Sequence, residues 1–66
     1  MKSVIFKATN QHETAEIFDK HGTPAKVTSS IGSYVPYEND KENDVFDEAM
    51  NMLCMGATSI ALIYYA

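Results

Sequence analysis

The chain has 66 residues, nine of them acidic and five of them lysine, with no arginine, which gives a formal net charge of −4 at pH 7. A chain of this length forms one domain, residues 1–66, around one thin hydrophobic core. This excludes a deep catalytic cavity unless a disulfide, a metal or a partner stabilises it. Because arginine is best suited to forked contacts with phosphate and guanine, its absence from an acidic chain argues against direct binding to nucleic acid or to an anionic membrane.

Cysteine usage and hydropathy indicate a cytoplasmic protein. The single cysteine, Cys54, cannot form an intramolecular disulfide, and a lone cysteine is typical of a reducing compartment. The residues that follow Met1 and Lys2 lack the long apolar stretch of a signal peptide. The longest apolar run, residues 60–66, is too short to span a bilayer.

The first half of the chain is predicted to form a strand, a helix and a second strand. Residues 2–8 are rich in β-branched and aromatic types, which favour a strand. Asn10 and Glu13 have the spacing of a capping box, so we expect a helix that starts there and ends at Gly22. Residues 25–31 then favour a second strand.

The second half is predicted to form two strands that flank a helix. Residues 33–37 form a short third strand after a tight turn, although Pro36 weakens it because proline cannot donate to a central ladder. After a charged loop, Asp44 is expected to cap a second helix that ends at Gly56. Residues 59–66 form a last, very apolar strand.

The element order βαββαβ predicts an α+β fold, a small ferredoxin-like sandwich in which both helices cover one face of an antiparallel sheet. If Pro36 breaks the third strand, the fallback is a three-stranded sheet with two helices. A helix followed by glycine, a short turn and a strand is expected twice, at residues 21–27 and 55–61. This weak repeat agrees with two βαβ halves around one sheet.

The residues with reactive side chains do not form a recognisable catalytic or metal-binding motif. His12 and Glu16 lie one helical turn apart, but a stable transition-metal site usually needs three or four ligands and the sequence shows no obvious third. His21 is expected in the last turn of the first helix, where an imidazolium interacts favourably with the helix dipole. Cys54 has apolar neighbours in sequence and is expected to be buried as a small hydrophobic residue. We therefore predict no enzymatic activity and assign no catalytic, cofactor-binding or metal-binding residue.

The most distinctive feature is the negative charge of residues 38–48, which hold six of the nine acids and one lysine. The plainer interpretation is a solvated loop followed by acids at a helix N-terminus. The more specific interpretation is that the spaced carboxylates imitate a row of phosphates and dock into a basic groove of another protein. Nearby tyrosines would then be interface anchors. The predicted partner-binding residues are Tyr34, Tyr37, Glu38, Asp40, Glu42, Asp44, Asp47 and Glu48.

A second feature is the excess of apolar surface in the last strand. This strand is apolar on both faces, although a strand in a sheet that helices cover on one side should alternate. If Ile60, Leu62 and Tyr64 lie under the helices, the remaining apolar residues lie on the open face and form a possible oligomer interface. The predicted residues of this face are Ile5, Ile63 and Tyr65.

Two functional hypotheses follow from these features. The first is a non-enzymatic acidic interaction protein, an inhibitor that occupies the basic nucleic-acid-binding surface of another protein. The chain is similar in size, in negative charge and in its lack of a reactive motif to the small DNA-mimicking proteins that phages make against restriction and CRISPR systems. No residue motif aligns with those proteins. The alternative is a regulatory domain that senses a small ligand at a homodimer interface. Neither hypothesis involves a membrane or direct nucleic-acid binding.

Overall fold

Four strands and two helices make up residues 2–65, the part of the chain that the computed structural model describes. The strands form one antiparallel sheet in the order β1-β4-β2-β3. This confirms the predicted ferredoxin-like βαββαβ arrangement with four strands instead of the three-stranded fallback. The elements are β1 (Ser3–Ala8), α1 (Gln11–His21), β2 (Lys26–Ser29), β3 (Gly32–Tyr34), α2 (Glu42–Cys54) and β4 (Ile60–Tyr65).

Each helix connects two strands that are separated by one other strand. The connection β1-α1-β2 passes over β4, and the connection β3-α2-β4 passes over β2. The last strand of the chain therefore lies inside the sheet, whereas β1 and β3 form its edges. This position explains why β4 is apolar throughout, because a central strand is paired along both sides and is largely removed from water.

Half of the capping box predicted at the start of α1 is present. The side-chain oxygen of Asn10 accepts a hydrogen bond from the amide of Glu13 at 2.8 Å. The Glu13 carboxylate accepts from the Thr9 amide at 2.7 Å, one residue earlier than the usual reciprocal bond, and also from the Thr9 hydroxyl. These bonds hold the pKa of Glu13 below its usual value. The helix ends where Gly22, with φ +81°, donates its amide to the Phe18 carbonyl at 2.8 Å.

The start of α2 differs from the prediction. The N-cap is Lys41, three residues before the expected Asp44, and the helix runs from Glu42. Asp44 instead acts from inside the first turn, where its carboxylate accepts a hydrogen bond from the Lys41 amide at 3.3 Å. An acid in this position satisfies a free amide and also interacts favourably with the helix dipole, so the same residue type suits either position.

The hairpin strands are shorter than predicted. β2 ends at Ser29 and β3 begins at Gly32, so that Ser30 and Ile31 form the turn. The Ser29 hydroxyl donates to the Gly32 carbonyl at 3.0 Å and stabilises this turn. Because β3 ends at Tyr34, Pro36 follows the strand and does not interrupt it.

The hydrophobic core lies between the sheet and the two helices. In the register of β1 with β4, Phe6 lies opposite Leu62 and Ala8 opposite Ile60, so these residues share the face that the helices cover. Phe18 of α1 meets Phe46 of α2 edge to face, with ring centroids 5.3 Å apart. The buried core residues are Ala8, Phe18, Val27, Val45, Ala49, Ile60 and Leu62. Neither helix of the described chain is long and apolar enough to cross a bilayer.

Candidate protein-binding surface

Charge is segregated between the two layers of the molecule. All nine acidic residues lie in the helices or in the loop before α2, and none lies in a strand. Lys7 and Lys26 lie in strands, and Lys2 directly precedes β1. The helical side is therefore strongly negative, whereas the sheet carries positive charge alone.

The carboxylates of residues 38–48, the acidic segment, remain accessible to a partner. Five of the six acids are exposed and Asp40 is half-buried. Within residues 2–65, the contact within 4.0 Å between a basic side chain and a carboxylate joins His12 and Glu16 of α1, at 2.8 Å. No lysine side chain of these residues lies within 4.0 Å of a carboxylate of the acidic segment. The negative charge of the segment is therefore not neutralised inside the described part of the chain.

Asp40 is fixed in place by hydrogen bonds to two tyrosines. Its carboxylate accepts from the hydroxyl of Tyr34 and from the amide of Tyr37, the latter at 2.9 Å. These bonds hold the loop before α2 against β3, and they keep the pKa of Asp40 below its usual value. The partly buried Tyr34 thus orients a carboxylate at the surface.

Three carboxylates act on the hydroxyl of Tyr34, Asp40 through a hydrogen bond and Asp44 and Glu48 through their charge. The hydrogen bond to Asp40, together with desolvation and the negative charges of Asp40, Glu48 and Asp44, raises the pKa of Tyr34 to about 12. Asp44 and Glu48 lie one turn apart on α2 and therefore point to the same side of the helix. We call Asp40, Asp44 and Glu48 the acid row.

Two other acids of the segment, Glu42 and Asp47, line different grooves. Glu42 lines a groove between the two helices together with Asp19 of α1. Asp47 lines another groove that α2 forms with Thr9 and Asn10 at the start of α1. The structure therefore brings three of the predicted carboxylates together in the acid row and places Glu42 and Asp47 outside it.

An apolar groove that the sequence did not indicate lies directly beside the acid row. Ile31 in the β2–β3 turn and Met52 and Met55 at the end of α2 line it, and Glu48 forms part of its wall. Ile31 is 50% exposed and Met55 is 78% exposed. We call this the methionine groove. The only hint of it in the sequence is Ile31, because a turn residue that is not packed in the core is usually polar.

No family model, curated protein or solved structure matches this chain. Function must therefore be inferred from the surface chemistry of the described residues. Of the two predicted tyrosine anchors, Tyr37 is 75% exposed and is free to contact a partner, whereas Tyr34 is held by Asp40.

The three reactive residues singled out in the sequence occupy separate places. His12 is bonded to Glu16, and no third potential metal ligand joins them within residues 2–65. The ring of His21 stacks on Phe6 with centroids 4.4 Å apart. Cys54 is exposed, contrary to the prediction. Its burial was expected from apolar neighbours in sequence, but Val45 and Ala49 define the inward side of α2 and place Cys54 on the opposite side.

The three residues of the predicted open sheet face lie together. Ile5 is paired with Ile63 in the register of β1 with β4, and Tyr65 follows on the same face. Ile5 is 60% exposed and Tyr65 is 56% exposed. Lys7 of β1 and Lys26 of β2 lie on this face as well, which gives it an apolar centre beside positive charge.

A titration of the tyrosines tests the geometry of the acid row. The pKa values of Tyr34 and Tyr64 are both raised to about 12, the second by burial and by the charge of Glu42. We expect Asp40→Asn to lower the pKa of Tyr34 while that of Tyr64 stays near 12. The measurement is tyrosine absorbance against pH, with Tyr34→Phe to assign the transition.

The sign of the pH effect on stability follows from the direction of these shifts. A raised tyrosine pKa stabilises the folded chain fully below the unfolded value of about 10 and loses this contribution as pH rises through about 12. The lowered pKa of Asp40 stabilises the fold above the ordinary pKa of an aspartate and loses this contribution as pH falls through its folded value. A pKa of Tyr34 that does not respond to Asp40→Asn would contradict the hydrogen bond.

Proposed function

We propose that this chain is a non-enzymatic acidic interaction protein that occupies the basic, nucleic-acid-binding surface of another protein and thereby inhibits it. The observation that supports this most directly is the acid row, in which Asp40 is held by Tyr34, Asp44 and Glu48 lie one turn apart on α2, and no carboxylate has a lysine partner within residues 2–65. Carboxylates accept charge-assisted hydrogen bonds from lysine and arginine, as phosphates do. A basic groove built for a nucleic acid is therefore a suitable docking site.

Two kinds of contact would act together at this surface. The acid row raises the association rate with a basic partner, and this contribution weakens as salt screens the charges. The methionine groove and the exposed ring of Tyr37 provide apolar area that is removed from water in the complex and slows dissociation. Tyr34 acts as a positioning residue because it holds Asp40.

The test compares two charge-neutralising variants that remove equal charge. Asp44→Asn with Glu48→Gln removes two charges of the acid row, and Glu16→Gln with Asp19→Asn removes two charges from α1. The binding partners are purified restriction nucleases and CRISPR effector nucleases, each with and without its nucleic acid. We expect the acid-row variant to bind about tenfold more weakly, a loss of about 1.4 kcal/mol, and the α1 variant to bind nearly as the natural chain does.

Competition and salt dependence complete the experiment. A bound chain should displace nucleic acid from the nuclease, and its affinity should fall as salt concentration rises. Binding that is independent of salt, or that is weakened equally by both variants, would overturn the proposal. The alternative of a homodimeric domain that senses a small ligand remains a hypothesis, and the apolar sheet face around Ile5, Ile63 and Tyr65 supports it.

A further inference from the structure

The two edges of the sheet are protected to different degrees. β3 has three residues and is followed by Pro36, features that prevent further strand pairing. β1 has six residues, and its side away from β4 has no strand partner within residues 2–65. Val4 is 45% exposed on one face of β1 and Ile5 is 60% exposed on the other. A long edge strand with apolar residues exposed on both faces is a surface for pairing with another strand.

The direction of the backbone groups identifies which residues of β1 are free. The carbonyl of Ile63 accepts a hydrogen bond from the amide of Ala25 at 2.8 Å, so Ile63 directs its backbone toward β2. Successive residues of an antiparallel strand direct their amide and carbonyl groups to opposite sides. Leu62 and Tyr64 therefore bond to β1, through Phe6 and Val4. It follows that Ser3, Ile5 and Lys7 direct their backbone groups to the free edge.

We propose that two copies of this chain pair antiparallel through β1, about a two-fold axis at Ile5, and join their sheets into one continuous sheet. In this register Ile5 lies opposite its own copy, Val4 opposite Phe6 and Ser3 opposite Lys7. Apolar side chains thus meet apolar side chains, and the two copies of Lys7 lie apart, each beside a serine. The register also uses all three residues whose backbone groups are free, which a shifted register does not.

The side chains above the free edge suit a second copy. A groove beside Phe6, lined by Ile17 and His21, lies next to the position that the partner's Val4 would take. Glu16 and Lys20 on this flank of α1 carry opposite charges. The two-fold axis therefore does not bring together two surfaces of like charge.

The dimer leaves the acidic surface free. Tyr34, which binds Asp40, is in β3, and β3 is at the opposite edge of the sheet from β1. The acid row and the methionine groove of each copy would therefore lie at the two outer ends of the dimer. The pairing does not depend on the proposed function, but it would present two acidic surfaces in one particle.

Sedimentation velocity over a range of concentrations tests the pairing. We expect the natural chain to reach twice its 7.3 kDa mass, and Ile5→Lys to weaken dimerisation at least tenfold. The matched control is Ile31→Lys, because Ile31 is 50% exposed but lies in the turn beside the other edge. It should leave the dimer intact, as should the variant Asp44→Asn with Glu48→Gln.

A second variant keeps the test valid if Ile5→Lys fails to fold. Ile5→Pro removes one backbone amide, which points to the free edge, so it should leave the monomer folded and abolish pairing. A natural chain that stays at monomer mass at submillimolar concentration would overturn the proposal. So would a dimer that survives both Ile5 variants, because its interface would then lie elsewhere. The Asp44→Asn and Glu48→Gln control separates this outcome from failure of the proposed function.

Discussion

Replacing Phe18 with alanine is expected to lower the free energy of unfolding by about 4 kcal/mol. Phe18 is 3% exposed, and its ring meets that of Phe46 edge to face at 5.3 Å. The change removes a large buried ring and leaves a cavity between α1 and α2. Domains are stable by only about 0.05–0.15 kcal/mol per residue, or about 3–10 kcal/mol for this length. The loss would therefore remove at least about 40% of the stability, and at the lower end of this range it would unfold most of the molecules.

Urea unfolding followed by circular dichroism measures this loss. Phe18→Leu is the matched control, because it keeps most of the buried volume and should cost about 1 kcal/mol. A double-mutant cycle with Phe46→Ala should show a coupling of about 0.5–1.5 kcal/mol for the aromatic pair. If Phe18→Ala costs less than Phe18→Leu, the two helices do not pack through this ring.

Leu62→Ala is expected to cost about 3 kcal/mol, whereas Ile63→Ala, one residue later, costs about 1 kcal/mol or less. Leu62 is fully buried and lies between Phe6 of β1 and Val27 of β2. Ile63 is half-buried on the face of the sheet that the helices do not cover. The two changes delete similar volumes from opposite faces of one strand, so their difference measures which face forms the core.

Thermal and urea unfolding at low protein concentration give both values for the monomer. Equal losses for the two variants would contradict the register, because a slip of one residue moves every side chain of β4 to the other face. A larger loss for Ile63→Ala than for Leu62→Ala would place the helices against the opposite side of the sheet. Dimerisation through β1 adds to the measured free energy of unfolding at high protein concentration. The two variants are therefore compared at concentrations at which the chain is monomeric.

Local signals in the sequence predicted the order and type of the elements. Asn10 and Glu13 mark the start of α1 because their side chains satisfy amides within a few residues, and Gly22 marks its end because it adopts positive φ. Both effects act over one helical turn, so no tertiary information is needed. The start of α2 was placed three residues late, since Asp44 suits both the cap and the first turn.

The geometry of the acidic segment could be derived from the sequence only in part. The charge of the acidic segment is visible in composition, but the direction of each carboxylate depends on the helix it belongs to and on what that helix packs against. Asp40 is oriented by Tyr34, which lies on a different element. The methionine groove joins Ile31 to Met55, residues far apart in sequence that meet only when the hairpin turn packs beside the end of α2.

By itself, the sequence determined the class of fold, the absence of a recognised reactive motif and the concentration of acids in residues 38–48, because each of these depends on residue type and short-range spacing. Tertiary structure decided that β4 is central, that β1 has a free edge, that Cys54 is exposed and that Glu42 and Asp47 lie apart from the acid row. These properties depend on contacts between residues distant in the chain, which local propensity does not encode.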